Sequence, residues 1–100
     1  MNIGQFDKTH EGFSGVIRTF TIYESVRIVR VEKKSENAPG FRVYKGTTEI
    51  GVAWEATTND NRPYLSVRFD DPSFHEPVFA GLFEGDRDTY NLVWTRRKDI

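Results

Sequence analysis

The chain has 100 residues, with 14 basic and 15 acidic side chains, and its net charge of −1 argues against a general binder of polyanions. Its length corresponds to one domain, residues 1–100, with room for a single core. It contains no cysteine, which excludes disulfides, thiolate nucleophiles and cysteine-based zinc sites. No secretory leader is evident, and no apolar run approaches the roughly 18 residues of a membrane span, so we expect a cytoplasmic protein.

Alternation of apolar and polar residues is the main secondary-structure signal, and it is typical of half-buried β-strands. It first occurs at 16–22, where Val16, Phe20 and Ile22 share one face. At 26–32 the apolar phase slips, which indicates a bulge or a strongly twisted edge. The other strand segments follow in chain order at 41–44, 49–56, 64–69, 78–83 and 89–95.

Three of these strands show which face we expect to be buried. In 64–69 the odd-numbered residues are apolar and predict the inner face. In 49–56 the even-numbered residues are the apolar set, with Trp54 among them. Trp94 lies on the apolar face of 89–95. We therefore expect both indoles in the core.

No segment shows the sustained 3.6-residue apolar period of a helix. The best helix candidate, 73–84, contains Pro77, so only one short helical turn at 71–75 is compatible with the sequence. The predicted fold class is all-β, or β-rich with one short helical turn. We expect a single antiparallel meander of about seven strands, and a small barrel and a two-layer sandwich both fit the pattern.

The densest group of reactive side chains lies at 70–76. Its acids and histidine are metal-ligand types, but Asp70 and Asp71 are neighbours on an extended chain and point to opposite sides. We expect a capped turn there, with no metal. Ser73 and His75 supply a nucleophile and a base, yet no orienting third group is indicated. The prediction is a protein that is not an enzyme, with no catalytic residues, metal or cofactor.

Charge is distributed unevenly along the chain. Residues 18–45 carry seven bases and three acids, whereas 49–88 carry three bases and nine acids. Arginines and tyrosines share the predicted outer faces of several strands. Because bases stack on exposed rings and arginines bind phosphates, this pattern predicts a sheet face that binds single-stranded nucleic acid. The candidate binding residues are Arg27, Arg42, Tyr44, Tyr64 and Arg68.

The acidic region favours a different role. An anion-rich surface suits a protein-binding inhibitor or adaptor that acts against host defence by engaging a host or element-encoded protein. The candidate residues of this alternative are Glu49, Glu55, Asp70, Asp71, Glu84, Asp86 and Asp88. Nucleic acid and protein both stay open as partners at this point, membranes are not expected, and the oligomeric state is undetermined.

Six short segments carry a resemblance to a known family. They are IGQF at 3–6, SENAP at 35–39, EIGVAW at 49–54, YLSV at 64–67, DDPSF at 70–74 and LVW at 92–94. Together they resemble the bacterial domain-of-unknown-function family numbered 736, along nearly the whole chain. The resemblance implies a small accessory protein of plasmids and integrative elements, and it supplies no catalytic residues. The charged stretch 75–77 departs from the family pattern.

Overall fold

A computed structural model describes residues 2–72 and 76–95 of the protein. The described chain is an antiparallel meander of eight strands that closes into a barrel. The strands are β1 Asn2–Lys8, β2 Gly12–Arg18, β3 Tyr23–Arg30, β4 Phe41–Lys45, β5 Thr48–Thr57, β6 Pro63–Phe69, β7 Val78–Glu84 and β8 Thr89–Thr95. The predicted all-β meander is thus confirmed, and the barrel is the correct alternative of the two.

The barrel has two ends of different construction. We call one end the mouth: it holds the β2–β3 turn, the β4–β5 turn at Gly46, and Asp70 after β6. We call the other end the base: it holds the β1–β2, β5–β6 and β7–β8 turns and the 31–40 loop. The part of the chain that the structure describes contains no helix that could cross a membrane. The predicted helical turn at 71–75 falls largely on 73–75, outside the described residues.

The interior is entirely apolar where the chain is described. Among these residues no polar or charged side chain is buried, and the largest fully buried side chains come from six different strands. Those side chains are Phe6, Ile28, Val43, Val67, Leu82 and Leu92. Residues that alternate with them point to the outer wall, as the pleat of a strand requires. The predicted inner faces of β6 and β8 are confirmed by this pattern.

One strand, β1, was missing from the predicted set. Its two buried residues, Ile3 and Phe6, are three positions apart, so they do not alternate. The register against β8 shifts between Asn2 and Gly4, which makes Ile3 the extra residue of a bulge. The bulge lets both side chains face the core, and it hides the strand from a search for alternation.

The prediction for 16–22 was wrong in its bounds. β2 ends at Arg18, and Thr19 starts a turn in which its Oγ1 accepts a hydrogen bond from the Ile22 backbone N–H at 3.1 Å. Phe20 therefore lies in the turn, not on a strand face. The slip expected at 26–32 is also absent, because β3 pairs with β2 and β4 without any register shift.

The buried face of β5 is the opposite of the predicted one. Val43 of β4 pairs with Gly51 and Tyr44 pairs with Glu49, so Ile50 is the extra residue of a bulge. A one-residue slip moves every later side chain to the other face. Ile50 packs against the core, but beyond it the interior positions are Gly51 and Ala53, and Trp54 faces outward. The expectation that Trp54 belongs to the core was wrong.

Close approach of two strands requires glycine at position 51. A Cβ built on Gly51 would lie 2.3 Å from the Arg68 carbonyl oxygen of β6, and backbone atoms cannot move aside as a flexible side chain does. We expect Gly51→Ala to lower the free energy of unfolding by about 1–3 kcal/mol, the usual effect of overpacking a filled site.

Urea denaturation of the wild type and the variant measures this effect. Gly40→Ala is the matched control, because a Cβ there has only the side chain of Lys33 nearby, at 3.7 Å. The control should stay within about 0.5 kcal/mol of the wild type. Equal unfolding midpoints for Gly51→Ala and the wild type would contradict the close contact.

Candidate nucleic-acid interface

Four of the five residues predicted to bind nucleic acid lie near one another on the outer wall. Arg27 of β3 pairs directly with Tyr44 of β4. Arg42 of β4 and Arg68 of β6 both pair with Val52 of β5, so the two arginines flank that residue in a single row across three strands. Cross-strand partners share a face of the sheet. The four side chains therefore occupy two adjacent rows of the outer wall.

Arg68 is the most constrained of these cations. Its guanidinium carbon lies 5.6 Å from the centre of the Trp54 ring, within the range of a cation–π contact. Its Nε is buried and has no hydrogen-bond partner among residues 2–72 and 76–95. A buried donor without a partner costs about 1–3 kcal/mol. An anionic oxygen brought to this guanidinium would make charge-assisted hydrogen bonds, which are among the stronger ones in proteins.

Arg42 is engaged more loosely. Its Nη1 lies 2.9 Å from Glu49 Oε1, and the two side chains are 44% and 43% exposed. Ion pairs at this exposure contribute about 0–1 kcal/mol, because water and salt screen them. A phosphate that approaches Arg42 therefore competes with only a weak existing partner.

Arg27 and Tyr44 form a second, preorganised pair. The guanidinium carbon of Arg27 lies 5.5 Å from the centre of the Tyr44 ring. Its Nη2 donates a hydrogen bond to the Gly46 carbonyl oxygen at 2.7 Å. These two contacts hold the cation against the outer wall near the mouth, with hydrogen-bond donors left for another acceptor.

Tyr64 lies apart from the other four predicted residues. It is 9% exposed, and its ring stacks on Phe83 with centroids 4.8 Å apart and an interplanar angle of 12°. It sits at the start of β6, near the base, while Arg68 lies near the other end of the same strand. The structure therefore places Tyr64 in the packing of the outer wall and not beside the arginines.

Trp54 belongs to this site, although its sequence pattern predicted a core position. Its indole N–H donates a hydrogen bond to the Asn37 carbonyl oxygen at 3.2 Å, and the guanidinium of Arg68 lies over its ring. Alternation within β5 alone carries no signal for this position. The structure shows it through the register with β6, in which Thr57 lies opposite Pro63 and Trp54 opposite Ser66, on the outer face of a strand with clean alternation.

We call the resulting surface the arginine–aromatic face and define it as Arg27, Arg42, Tyr44, Trp54 and Arg68. It holds three arginine cations and two aromatic rings, and Glu49 forms an ion pair with one of the arginines, Arg42. Interleaved cations and rings can bind backbone phosphates and stack bases without reading their sequence.

The acidic candidates are divided between the two ends of the barrel. Three of them lie toward the mouth: Glu49, Asp70 and Asp71. The other four surround the base: Glu55, Glu84, Asp86 and Asp88. Lys8 and Arg30 line the same cavity at the base as Glu55 and Glu84, so the four acids there are interrupted by bases.

The carboxylates at the base affect a neighbouring tyrosine. Burial raises the pKa of Tyr90 above 10.0, and the charges of Glu84 and Asp88 raise it further. The ring of Tyr90 packs edge-on against Phe13 with centroids 4.8 Å apart. Burial and the two carboxylates therefore both disfavour the phenolate form of Tyr90.

The raised pKa of Tyr90 predicts a specific loss of stability in alkali. Above pH 10.0 the unfolded chain loses this proton more readily than the folded one, so the free energy of unfolding falls as pH rises. Tyr90→Phe keeps the ring and removes the titration, so its urea midpoint should decline less between about pH 9 and pH 11.

Glu84→Gln provides a second comparison for the alkaline effect, because it removes one of the two charges that raise the pKa of Tyr90. The decline of its urea midpoint with pH should be intermediate between the declines of the wild type and Tyr90→Phe. Identical declines in all three proteins would show that Tyr90 does not carry the effect.

Metal-ligating side chains do not converge within the described ranges. There, no group of three or more His, Asp or Glu side chains is close enough to hold an ion. The Ser73 and His75 pair considered in the sequence lies outside these ranges.

Comparison with known proteins gives one family. The family model described as "Protein of unknown function (DUF736)" matches residues 2–97. Neither a curated protein nor a solved structure matches the chain.

Proposed function

Since the chain belongs to the DUF736 family of proteins of unknown function, we propose from the geometry of its outer wall that it is a non-enzymatic module that binds single-stranded nucleic acid. The binding surface is the arginine–aromatic face. The observation that carries the proposal is the position of Arg68, stacked on Trp54 with a buried Nε that lacks a partner in the described chain. A phosphate oxygen is the acceptor that such a cation binds most strongly.

Binding to single strands suits the rest of the face better than binding to a duplex. Phosphate contacts come from Arg42 and Arg68, which flank Val52 in one row. The rings of Trp54 and Tyr44 lie beside these cations, and a base can stack on a ring only when it is not already stacked in a duplex. The overall charge of −1 predicts weak binding to nucleic acid elsewhere on the protein.

Removing Arg68 should weaken nucleic-acid binding and its salt dependence together. We expect Arg68→Gln to reduce the affinity for a labelled pyrimidine oligonucleotide by about tenfold, the effect of one lost charge-assisted contact. The slope of log K against log salt concentration should fall by about 0.7 for each phosphate contact removed. Fluorescence anisotropy across a salt series measures both quantities.

Arg62→Gln is the matched control for this experiment. It removes the same charge from an exposed position in the β5–β6 loop, at the base and away from the arginine–aromatic face. It should leave affinity and slope close to those of the wild type. Failure of the wild type to bind at micromolar concentration and low salt would refute the proposal, and so would equal losses in both variants.

The alternative of a protein-binding inhibitor or adaptor of the anti-defence type has one supporting observation. Burial raises the pKa of Tyr90 at the base, and the charges of the neighbouring Glu84 and Asp88 raise it further. The bases Lys8 and Arg30 at the same end weaken this surface. We therefore place the acidic role second.

The location and genetic context are further parts of the proposal. The absence of cysteine suits a reducing cytoplasm, where disulfides rarely persist. Carriage on bacterial mobile elements, which the family resemblance implies, would place a single-strand binder where such strands are formed.

A further inference from the structure

A large cavity occupies the mouth of the barrel, well separated in the fold from the base. Its volume is about 1110 Å³, above the 370 Å³ of the cavity at the base. An eight-stranded barrel is wide enough either to be filled by side chains or to hold one small ligand. The mouth volume of about 1110 Å³ lies slightly above the range found for small-molecule sites, which is roughly 300–1,000 Å³.

The wall of this cavity is suited to hydrocarbon. Its apolar lining includes Ile3, Ile17, Val26, Ile50, Phe69 and Trp94. Among the residues that the structure describes, none of the buried side chains is polar or charged. A polar group placed deep in the mouth would lose its hydration without gaining a side-chain partner, which is unfavourable. The inner part of a ligand must therefore be apolar.

The rim adds one available cation. Arg18 lines the cavity and lies over the Tyr23 ring, 5.1 Å from its centre, and it forms no ion pair within residues 2–72 and 76–95. The other rim charges are less available. Glu24 lies 3.0 Å from Lys45, so a carboxylate that approaches Lys45 meets an acid beside the base, and Asp71 already interacts within the protein.

An exposed aromatic ring stands next to this rim. Phe20 is 104% exposed and is one of the residues that line the cavity. A ring that makes so few contacts in the free protein gains apolar contact when a ligand fills the mouth. Phe20 therefore provides a surface for the part of a ligand that projects from the barrel.

From the apolar wall and the available guanidinium of Arg18, we propose that the mouth binds a lipophilic monocarboxylate of the fatty-acid class. The hydrocarbon chain lies among the apolar residues of the mouth, and the carboxylate accepts hydrogen bonds from Arg18 at the rim. This ligand goes beyond the proposed nucleic-acid function and uses a different part of the barrel.

Trp94 provides a direct readout of this site. The chain has two tryptophans, and only Trp94 lines the cavity, so Trp54→Phe leaves a single reporter inside the mouth. Titrating this protein with dodecanoate below its micelle concentration should change the Trp94 emission until it saturates. Dodecanol and dodecylamine, with the same chain length, should bind about tenfold or more weakly, because they cannot accept the paired hydrogen bonds of a guanidinium.

Variants at the rim separate the two parts of the ligand. Arg18→Gln in the reporter protein should lower the affinity for dodecanoate by about tenfold and leave the affinity for dodecanol unchanged. Phe20→Ser should lower the affinity for both compounds. Arg62→Gln, the matched charge control, should leave both affinities unchanged. Arg18 and Phe20 are exposed, so neither substitution disturbs the core.

Three results would overturn the inference. The first is an absence of saturable change with dodecanoate, and the second is equal affinity for the acid, the alcohol and the amine. The third is an equal loss of affinity for dodecanoate in Arg18→Gln and Arg62→Gln, which would indicate a general effect of charge and not a carboxylate site at the rim.

Discussion

Five residue pairs between β1 and β8 turn a row of hairpins into a closed barrel. Closure removes the exposed edges through which open sheets bind extended peptides or aggregate. Because successive residues of each strand point to opposite sides, closure also divides the chain into an inner and an outer set. A binding site on such a fold must lie on the outer wall or at one of the two ends, and the candidate sites are found there.

The inner set contains no buried polar side chain in the part of the chain described, so arginine has to lie outside. The outer wall is nevertheless not uniformly polar, because the bulge at Ile50 moves Trp54 from the core to that wall. Trp54 is then covered only in part, by a hydrogen bond to the Asn37 carbonyl oxygen and by the guanidinium of Arg68. One extra residue in β5 thus produces the contact on which the proposed interface depends.

The sequence predicted the class of fold and most of its strands, because clean alternation in β6 and β8 reflects their regular pairing. It failed where a bulge breaks the period. Ile3 concealed β1, and Ile50 reversed the faces of β5. The arginines of the site were predictable because charged residues face water whatever the register. The contribution of Trp54 was not predictable, because alternation alone cannot show which face of a bulged strand is buried.

The two ends of the barrel differ because different side chains close them. At the base, Phe13 packs against Phe41 and Tyr90, with ring centroids 6.3 Å and 4.8 Å apart, and the cavity that these rings line has a volume of only about 370 Å³. At the mouth the inward positions are mostly aliphatic, such as Ile3 and Val26, and a volume of about 1110 Å³ is left. The same barrel thus has a more closely packed base and a more open mouth. Large rings at the base supply burial that stabilises the barrel, which allows the mouth to keep a cavity without losing the fold.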